Sequence, residues 1–326
     1  MKKFVIKKND SGQRLDKFVA KAAAGLSPSL VYKYIRKKSI KVNGKRAEIS
    51  YRIQENDVVE MYINDEFFIP KKSGFLNIGY DPTPDIVYED ENMILVDKKP
   101  GVLVHESINE KRDTLINQIL LYLYNKGEYS PDSEISFTPS LCNRLDKNTG
   151  GIVIIAKNAK AQRLLYDIVK YRKITKKYLA LVHGAFKVKS AVLTAYLKKD
   201  SSANIVDISD FEKEGYRKII TKYTVIDECK DMSLVEIDLV TGRTHQIRAH
   251  MAHIGHPVVG DCKYGYARDN KKLPFAHQAL YAYSLEFKID DEKNDLYYLN
   301  GRVFRVKKVY FEDFLRKKQK KSNLKK

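Results

Sequence analysis

Asp146 stands in the segment NRLDKNTGG, whose residue types could do chemistry. Gly150 and Gly151 follow it and allow unusual backbone angles or the close approach of a ligand. The apolar run 152–156 comes next and predicts a buried strand. Asp146 therefore belongs to a tight loop that leads into the core. A carboxylate held there, partly away from water, requires a cation or hydrogen-bond donors.

A cation that could pair with Asp146 stands in DLVTGRTHQIRAHMAHIGHPVVGDCKYG, residues 238–265. Apolar residues recur there at helical spacing and predict a helix with Thr244 as its cap and Gly255 as its stop. Arg248 lies beside the apolar face of that helix. An arginine in this position could reach a buried carboxylate with its planar, forked guanidinium.

Histidines are concentrated in the same segment, which raises the question of a metal site. Four of the seven in the chain fall there: His245, His250, His253 and His256. Their spacing lacks the HExxH arrangement of metalloenzyme helices. Arg243 and Arg248 would also repel a bound cation. We therefore expect neither a metal nor another cofactor.

A third segment, KYRKITKKYLALVHG at residues 170–184, places basic residues ahead of an apolar strand. Tyr178 opens that strand, and Lys176 and Lys177 immediately precede it. A lone tyrosine at the start of a strand is most often a packing residue. From these residues alone, a packing role and a role in binding are both open.

The composition points to a polyanionic partner. The chain has 60 Lys and Arg residues against 41 Asp and Glu residues, which gives a formal net charge of +19 over 326 residues. Nucleic acid is the first candidate for such a bias. No apolar run approaches the ~20 residues of a transmembrane helix, and the first residues lack the apolar stretch of a signal peptide. Cys142, Cys229 and Cys262 lack the spacing of a disulfide framework or a thiolate metal site. We expect a soluble, cytoplasmic monomer with no membrane or protein partner.

Residues 13–63 are predicted to form a small unit of two helices and a hairpin. Ser27 and Pro28 suit the cap and first turn of the second helix, and the pair 43–44, Asn-Gly, is a strong hairpin signal. Basic residues surround the apolar stripe of that helix: Lys33, Arg36 and Lys37. Cations held on a rigid helix can replace the counterions of a nucleic-acid backbone.

This unit resembles the S4 RNA-binding domain, in the string RLDKFV followed by IKVNGK. The resemblance implies that the second helix and the loop after it contact RNA phosphates. Asp16 lies in this first RLDK string. We expect it on an exposed first helical turn, where a carboxylate suits the helix dipole, and assign it no chemical role.

The rest of the chain is predicted to be a larger α+β domain. Repeated strand signals from residue 85 and a helix at about Ala159–Lys170 indicate a large sheet. The predicted strands are Ile86–Tyr88, Met93–Val96 and Val102–Val104. The expected organisation is an S4-type domain at 1–66, a linker at 67–84, the larger domain at 85–314 and a basic disordered tail at 315–326.

Four ordered motifs of the larger domain resemble the RluA family of RNA pseudouridine synthases. That family's loop H-R-L-D-x-x-T-S-G appears as residues 143–151, and later motifs appear as KKYLALVHG and TGRTHQIRAHMAHIGHPVVGD. Upstream, ILVDKKPGVLVH matches the family's strand-K-P-x-G-x-x-x-H pattern in compressed form. Asn143 replaces the usual histidine and Gly150 the usual serine, which favours the C-type, large-subunit ribosomal RNA subgroup. The resemblance implies a catalytic domain built on a mixed, mainly antiparallel sheet.

The resemblance also implies an activity, the conversion of uridine to pseudouridine in RNA, and a role for each site residue. Asp146 would be the nucleophile, and whether it attacks C1′ or the uracil ring is open. Arg248 would pair with it, Tyr178 would stack on the uracil, and Arg144 would fill the space left by the flipped uridine. Lys176, Lys177 and Arg243 are expected to contact phosphates.

Two other classes of protein would account for parts of the sequence. A noncatalytic RNA-binding ribosome-assembly factor would use the basic surface and the S4-type unit alone, and would need neither Asp146 nor Arg248. A hydrolytic glycosidase would require two carboxylates flanking the bond. For the substrate, large-subunit ribosomal RNA is expected and transfer RNA is the alternative, because phosphate contacts do not identify a sequence.

Overall fold

A computed structural model of the chain describes residues 1–69, 74–106, 112–200, 202–266 and 273–317. The described residues form an N-terminal unit around a four-stranded sheet and a larger unit around an eleven-stranded sheet. Helices accompany both sheets, so the fold is α+β as predicted. Within the described residues, none of the helices combines the length and the apolar character that crossing a membrane would require.

The N-terminal unit has the predicted pair of helices and the predicted hairpin. Its elements are β1 (Lys2–Val5), α1 (Leu15–Ala22), α2 (Pro28–Arg36), β2 (Ile40–Val42), β3 (Lys45–Arg46) and β4 (Val58–Met61), and the sheet order is β1-β4-β2-β3. Ser27 caps α2, because its hydroxyl accepts the Leu30 N–H at 3.4 Å. Asn43 and Gly44 have φ values of 51° and 73°, as a tight two-residue hairpin turn requires.

Asp16 is not on an exposed turn, so that prediction was wrong. Its side chain is 4% exposed. Arg14 donates from Nε and Nη2 to its two carboxylate oxygens at 3.0 and 3.2 Å, and the Asp16 amide donates to the Ile49 carbonyl. A forked guanidinium contact allows a carboxylate to be covered without leaving its charge unpaired. The helical pattern of α1 contained no sign of the segment that covers it.

The larger unit is built on a long, mixed sheet. Its elements are β5 (Ile86–Glu89), β6 (Met93–Lys98), α3 (Leu115–Asn125), β7 (Ser140–Leu141), β8 (Gly150–Ala156), α4 (Ala159–Lys170), β9 (Ile174–His183), β10 (Ser190–Asp200), β11 (Ile205–Ser209), β12 (Arg217–Cys229), β13 (Met232–Leu239), α5 (Gln246–His253), β14 (Leu280–Phe287) and β15 (Val303–Arg305). The order is β11-β10-β12-β13-β9-β14-β8-β6-β5, with β15 on β14 and β7 on β8. Among the described pairings of this sheet, β14 with β8 is parallel and the others are antiparallel.

The predicted strands β5 and β6 and the predicted helix α4 are confirmed. The third predicted strand, Val102–Val104, is not formed. Leu103 there makes a single parallel bridge to Thr114. The apolar character of this segment serves burial, since Val104 lies in the core beneath α3.

The two faces of the sheet are covered by different helices. Helices α3 and α5 pack on one face, where Tyr178, Ala180 and Val182 of β9 join their apolar cluster. On the other face, α4 packs on one part of the sheet, and Leu179 and Leu181 of β9 pack elsewhere, among a cluster from the end of the chain. Strand alternation therefore decides which β9 side chains can reach a site on the first face.

The predicted boundaries of linker and tail differ from the structure at two buried residues. Phe75, inside the predicted linker, is packed in the core of the larger unit. Leu315, the first residue of the predicted tail, is 1% exposed and packs with Val309 and Phe311. The many charged residues of the segment gave no indication in the sequence that Leu315 would be buried. Residues 318–326 of the predicted tail lie outside the described residues.

Contacts join the two units directly. Ser136 of the larger unit donates through its amide and its hydroxyl to Asp10 Oδ1, at 3.0 and 2.6 Å. Lys7 Nζ donates to the Ser133 carbonyl at 2.8 Å. The N-terminal unit is therefore held against the residues that lead into β7.

Candidate active site

A cleft of about 820 Å³ is lined by segments that are distant in sequence. They are the loop 143–149 before β8, the start of β9, residues 242–248 at the start of α5, and residues 103–106. Lys199 reaches the cleft from β10. The predicted site residues in its lining are Arg144, Asp146, Lys176, Tyr178, Arg243 and Arg248. The fold thus brings together the side chains that separate motifs had suggested.

The loop that carries Asp146 is supported by Asn143. The Asn143 side chain is buried; its Oδ1 accepts the Ile154 N–H at 2.7 Å, and its Nδ2 donates to the Ile152 carbonyl at 3.4 Å. This amide pairs with the backbone of β8 much as a neighbouring strand would. At the far end of the loop, Thr149 accepts a hydrogen bond from Gln278 Nε2 at 2.7 Å. Both ends of the loop are therefore fixed.

The two glycines after the loop allow β14 to pass close by. A Cβ on Gly150 would lie 2.2 Å from the ring of Tyr281, and one on Gly151, at φ 118°, would lie 2.2 Å from the Ala282 carbonyl oxygen. Neither neighbour leaves room for a side chain. A serine at position 150 would collide with Tyr281, so glycine and tyrosine fit each other here.

Arg248 links the loop to a second, fully buried carboxylate. Its Nη1 donates to Asp146 Oδ2 at 3.0 Å, while Nε and Nη2 donate to Asp261 Oδ2 and Oδ1 at 2.6 and 2.8 Å. Asp261 also accepts the backbone N–H groups of Lys263 and Tyr264, at 2.8 and 3.2 Å. The guanidinium is held as a fork by Asp261 and presents its remaining nitrogen to Asp146.

Electrostatics keep this arrangement charged. Burial acts to lower the pKa of Arg248, but the hydrogen bonds and charges of Asp261 and Asp146 outweigh it and raise that pKa. Burial acts to raise the pKa of Asp261, but Arg248 and the two backbone donors lower it. Sequence reasoning missed Asp261. The signal in the sequence was an aspartate directly after a glycine, Gly260. In the structure that glycine has a φ of 81°, and a Cβ added to it would lie 2.9 Å from the His277 carbonyl oxygen.

Tyr178 and Lys176 face the cleft, whereas Lys177 does not. Tyr178 is buried, and burial raises the pKa of its hydroxyl, with the charge of Asp146 acting in the same direction. Burial lowers the pKa of Lys176. The Lys177 side chain pairs with Glu236 Oε1 at 2.9 Å and is absent from the lining. Alternation along β9 turns it away from Tyr178, so it does not belong to the site.

The predicted RNA-contacting cations occupy two places. Arg144 and Arg243 are exposed and belong to the cleft lining. The other three lie on the N-terminal unit, exposed on or just after α2 and outside the lining: Lys33, Arg36 and Lys37. Lys199 and Lys263 also line the cleft and were not singled out from the sequence.

Lys98 is a buried lysine that joins two loops next to the cleft. It is 1% exposed, and its Nζ donates to the carbonyls of Lys99, Val102 and Lys147 at 3.0, 3.0 and 2.9 Å. Burial lowers its pKa to about 7, although the charge of Asp146 acts in the opposite direction. It ties the loop of the K-P-x-G pattern to the loop of Asp146.

The four clustered histidines have separate partners. His250 Nδ1 pairs with Thr221 Oγ1 at 3.0 Å, His253 Nε2 with Asp210 at 2.8 Å and His256 Nδ1 with the His183 carbonyl at 2.8 Å. In the described part of the chain, no three His, Cys, Asp or Glu side chains are grouped as metal ligands would be.

His245 occupies the position before α5 and faces Asp146. Its Nε2 lies 3.9 Å from Asp146 Oδ2, and its Nδ1 lies 2.9 Å from the Tyr264 hydroxyl. The backbone is left-handed there, and no side chain caps the helix. The predicted cap, Thr244, is therefore not the cap.

Comparison with known proteins identifies two families along the chain. A family model described as RNA pseudouridylate synthase matches residues 92–253, and a model of the S4 domain matches residues 13–59. The first match includes the loop of Asp146, β9 and all of α5. The second includes α1, α2 and the hairpin.

Relatives and solved structures match over most of the chain. Ribosomal large subunit pseudouridine synthase C of Haemophilus ducreyi is 30% identical over 87% of this chain and 87% of its own. Ribosomal large subunit pseudouridine synthase D of Blochmanniella floridana is 31% identical over 88% of this chain and 90% of its own. The structure of human RNA pseudouridylate synthase domain containing 1 superposes with a TM-score of 0.53 at 25% identity, covering 74% of this chain and 96% of that one.

Proposed function

The chain belongs to the RNA pseudouridine synthase family, and from that premise we propose that it isomerises uridines of large-subunit ribosomal RNA with Asp146 as its nucleophile. In this reaction the N1–C1′ bond breaks, the uracil turns, C5 bonds to C1′, and the proton lost from C5 is balanced by one gained at N1. The observation that carries the proposal is the 3.0 Å contact between Arg248 and Asp146 in the cleft that buried Tyr178 lines.

Each group in the cleft suits one part of this chemistry. The carboxylate of Asp146 can attack C1′ or the uracil ring, or assist departure of the base. Arg248 fixes its direction. The ring of Tyr178, which lines the cleft, would stack on a uracil that has left its helix. Because burial raises its pKa, its hydroxyl stays protonated and available for proton transfer.

Base flipping is assigned to Arg144. It is exposed at the cleft, two residues before Asp146. Flipping costs a few kcal/mol, and a long side chain that fills the vacated space offsets part of this cost. Lys176 and Arg243, which also line the cleft, are proposed as phosphate contacts. Lys177 is left out because it faces Glu236 instead.

Recognition of the larger RNA is assigned to the N-terminal unit. Its exposed cations on and after α2, Lys33, Arg36 and Lys37, would contact phosphates. The substrate is proposed from the relatives, since those named C and D both carry large-subunit names; the C-type assignment is part of the proposal. So are the division into an N-terminal RNA-binding domain and a catalytic domain that includes Phe75 and Leu315, and action as a cytoplasmic monomer.

The nucleophile is tested with Asp146→Asn. The amide keeps the shape of the carboxylate but cannot attack, so pseudouridine formation should be abolished while RNA binding remains within a few-fold. Pseudouridine is measured in ribosomal RNA incubated with each variant. Glu106→Gln is the matched control, because Glu106 also lines the cleft but has no assigned role. Pseudouridine formed by Asp146→Asn would exclude Asp146 as nucleophile, and release of free uracil by the unaltered protein would indicate hydrolysis.

The substrate is tested by mapping pseudouridines in cells with and without the gene. We expect positions in large-subunit ribosomal RNA to lose the modification. Loss confined to transfer RNA would overturn the substrate assignment while leaving the chemistry in place.

A further inference from the structure

His245 has an unusual backbone conformation at the point where it faces Asp146. Its φ and ψ are 54° and 14°, a left-handed conformation that a non-glycine residue seldom adopts and that costs about 1–3 kcal/mol. Its side chain is 8% exposed. Such a conformation persists only where surrounding contacts hold it, and here they hold the imidazole between Tyr264 and Asp146.

The contacts of Tyr264 determine where the imidazole carries its proton. The Val206 N–H donates to the Tyr264 hydroxyl oxygen at 2.9 Å, and the same oxygen lies 2.9 Å from His245 Nδ1. Among the described residues, Nδ1 is therefore the acceptor available to the phenolic proton. If the Tyr264 O–H donates to Nδ1, the single proton of a neutral imidazole must sit on Nε2.

The surroundings of Nε2 favour the same tautomer. Nε2 lies 3.9 Å from the carboxylate oxygen Oδ2 of Asp146. If Nε2 carried no proton, its lone pair would face the lone pairs of that oxygen and the two would repel. Burial lowers the pKa of His245, Arg248 and Lys263 lower it further, and Asp146 and Asp261 act in the opposite direction. The charged groups that act on the ring are Asp146, Arg248, Lys263 and Asp261. Other charged side chains line the same cleft: Glu106, Arg144, Lys147, Lys176, Lys199 and Arg243. The ring is therefore neutral near pH 7.

We propose that His245 is a positioning residue for pseudouridine formation: Tyr264 holds its Nε2–H toward Asp146 Oδ2, and that hydrogen bond forms when RNA fills the cleft. Catalytic contacts are often long in unliganded sites and tighten on binding. Arg248 already donates to this same oxygen. With both donors on Oδ2, Oδ1 is left as the oxygen that meets the uridine.

The proposal rests on Asp146 being the nucleophile, but its first test does not. In ¹⁵N-labelled protein without RNA, long-range ¹H–¹⁵N spectra of the histidine rings should show His245 protonated on Nε2 only. Tyr264→Phe keeps the ring on which Arg248 lies, 5.3 Å from its centroid, and removes the hydroxyl. In that variant the two tautomers should become mixed. A wild-type His245 protonated on Nδ1 would overturn the proposal.

The second test uses the shapes of the two amide side chains. The amide nitrogen of glutamine can occupy the place of imidazole Nε2, and that of asparagine the place of Nδ1. His245→Gln should therefore keep most of the single-turnover rate, whereas His245→Asn should lose about tenfold or more, as expected for one hydrogen bond to a charged group. KM should change little in either. A purely structural histidine would not produce this order.

The outcomes separate this proposal from the proposed function. Equal rates for the Gln and Asn variants, or a slower Gln variant, would overturn the role of His245. Activity of Asp146→Asn would overturn the nucleophile and leave the tautomer result intact. If the Asn variant fails to fold, as judged by thermal unfolding, the tautomer spectra and the Tyr264→Phe rate decide. That rate should fall in proportion to the fraction of His245 that loses its Nε2 proton, a smaller loss than that of His245→Asn, with KM unchanged; an unchanged rate would overturn the proposal.

Discussion

Asp261 shows how one residue can control the direction of another. Its two carboxylate oxygens accept hydrogen bonds from Nε and Nη2 of Arg248. Because a guanidinium is planar and rigid, the third nitrogen is then aimed without further adjustment, and it meets Asp146 at 3.0 Å. Asp261 is fully buried and touches no open space in the cleft. Its influence on the reaction passes through Arg248.

Replacing Asp261 by asparagine should weaken both folding and turnover. The buried guanidinium would lose half of its compensating charge, and breaking a buried ion pair typically costs about 3–5 kcal/mol of unfolding free energy. Arg248 would also lose its fixed direction, so the single-turnover rate should fall while KM changes little. Urea unfolding and single-turnover kinetics measure the two effects. Glu236→Gln is the control, since it breaks a partly exposed pair with Lys177 on the other face and should leave the rate unchanged. An Asp261→Asn protein of normal rate would contradict the argument.

Which residues could be predicted depended on whether their roles are local. The place of Asp146 on a loop that leads into a buried strand could be predicted, because the glycines and the following strand are contiguous with it. Lys177 was misassigned although alternation along a strand could have corrected it: if Tyr178 faces the cleft, its neighbour faces away. Asp261 could not be paired with Arg248 from the sequence, because that contact depends on how the turn after α5 folds back.

At the scale of elements, α5 is buried on nearly all sides. Every residue from Gln246 to Met251 is buried. Three of them are polar: Gln246, Arg248 and His250. Gln246 Nε2 and His250 Nδ1 both pair with Thr221 Oγ1 of β12, each at 3.0 Å. The helix is thus fixed to the sheet by polar contacts as well as by its apolar stripe.

The burial of His250 predicts a loss of stability in acid. Burial lowers its pKa from 6.5 to about 4, so the unfolded chain binds a proton near pH 6.5 and the folded chain binds it only near pH 4. Its contribution is therefore complete above pH 6.5 and falls as pH drops toward 4, by up to about 3 kcal/mol. His250→Gln does not titrate and should reduce this loss, measured as the change in unfolding free energy between pH 7 and pH 4.5. His253→Gln, on the exposed side of α5, is the control. Identical pH profiles for His250→Gln and the unaltered protein would refute this.

The elements themselves were largely predictable, but their neighbours in the sheet were not. Helix α4 begins and ends at the predicted residues, and Asn158 caps it by accepting the Ala161 N–H at 2.8 Å. The parallel pairing of β14 with β8 at Gly150 and Gly151 joins segments far apart in the chain. No local pattern encodes such a pairing. The two glycines had suggested unusual backbone angles or the close approach of a ligand, whereas the structure has β14 against them.

At the scale of the whole molecule, the joint between the two units fixes α2 relative to the cleft. Asp10 is fully buried and accepts two hydrogen bonds from Ser136. Gln13 Nε2 donates to the same serine hydroxyl, and Arg163 of α4 donates to the Ser11 carbonyl at 3.3 Å. A held unit presents its cations at a high effective concentration to an RNA already in the cleft.

Asp10→Ala should loosen this joint and weaken binding of large RNA alone. We expect a higher KM for a ribosomal RNA fragment that spans both units, with kcat unchanged, and normal kinetics on a short stem-loop that reaches only the cleft. Steady-state kinetics on the two substrates measure this. Thermal unfolding verifies that the variant is folded at the assay temperature. An equal loss on both substrates would mean that Asp10 supports the fold in general.

The route of the effect can be tested by combining Asp10→Ala with Lys33→Gln, Arg36→Gln and Lys37→Gln. The binding constant of the triple variant alone should depend less steeply on salt concentration. The slope of its logarithm against the logarithm of salt concentration should fall by the equivalent of up to about three phosphate contacts. If the joint acts by holding α2 against the RNA, then in a variant without those three cations the position of α2 has little effect on RNA binding. Asp10→Ala should then add almost nothing to the triple variant on the long fragment. Full additivity would show that the joint acts by another route.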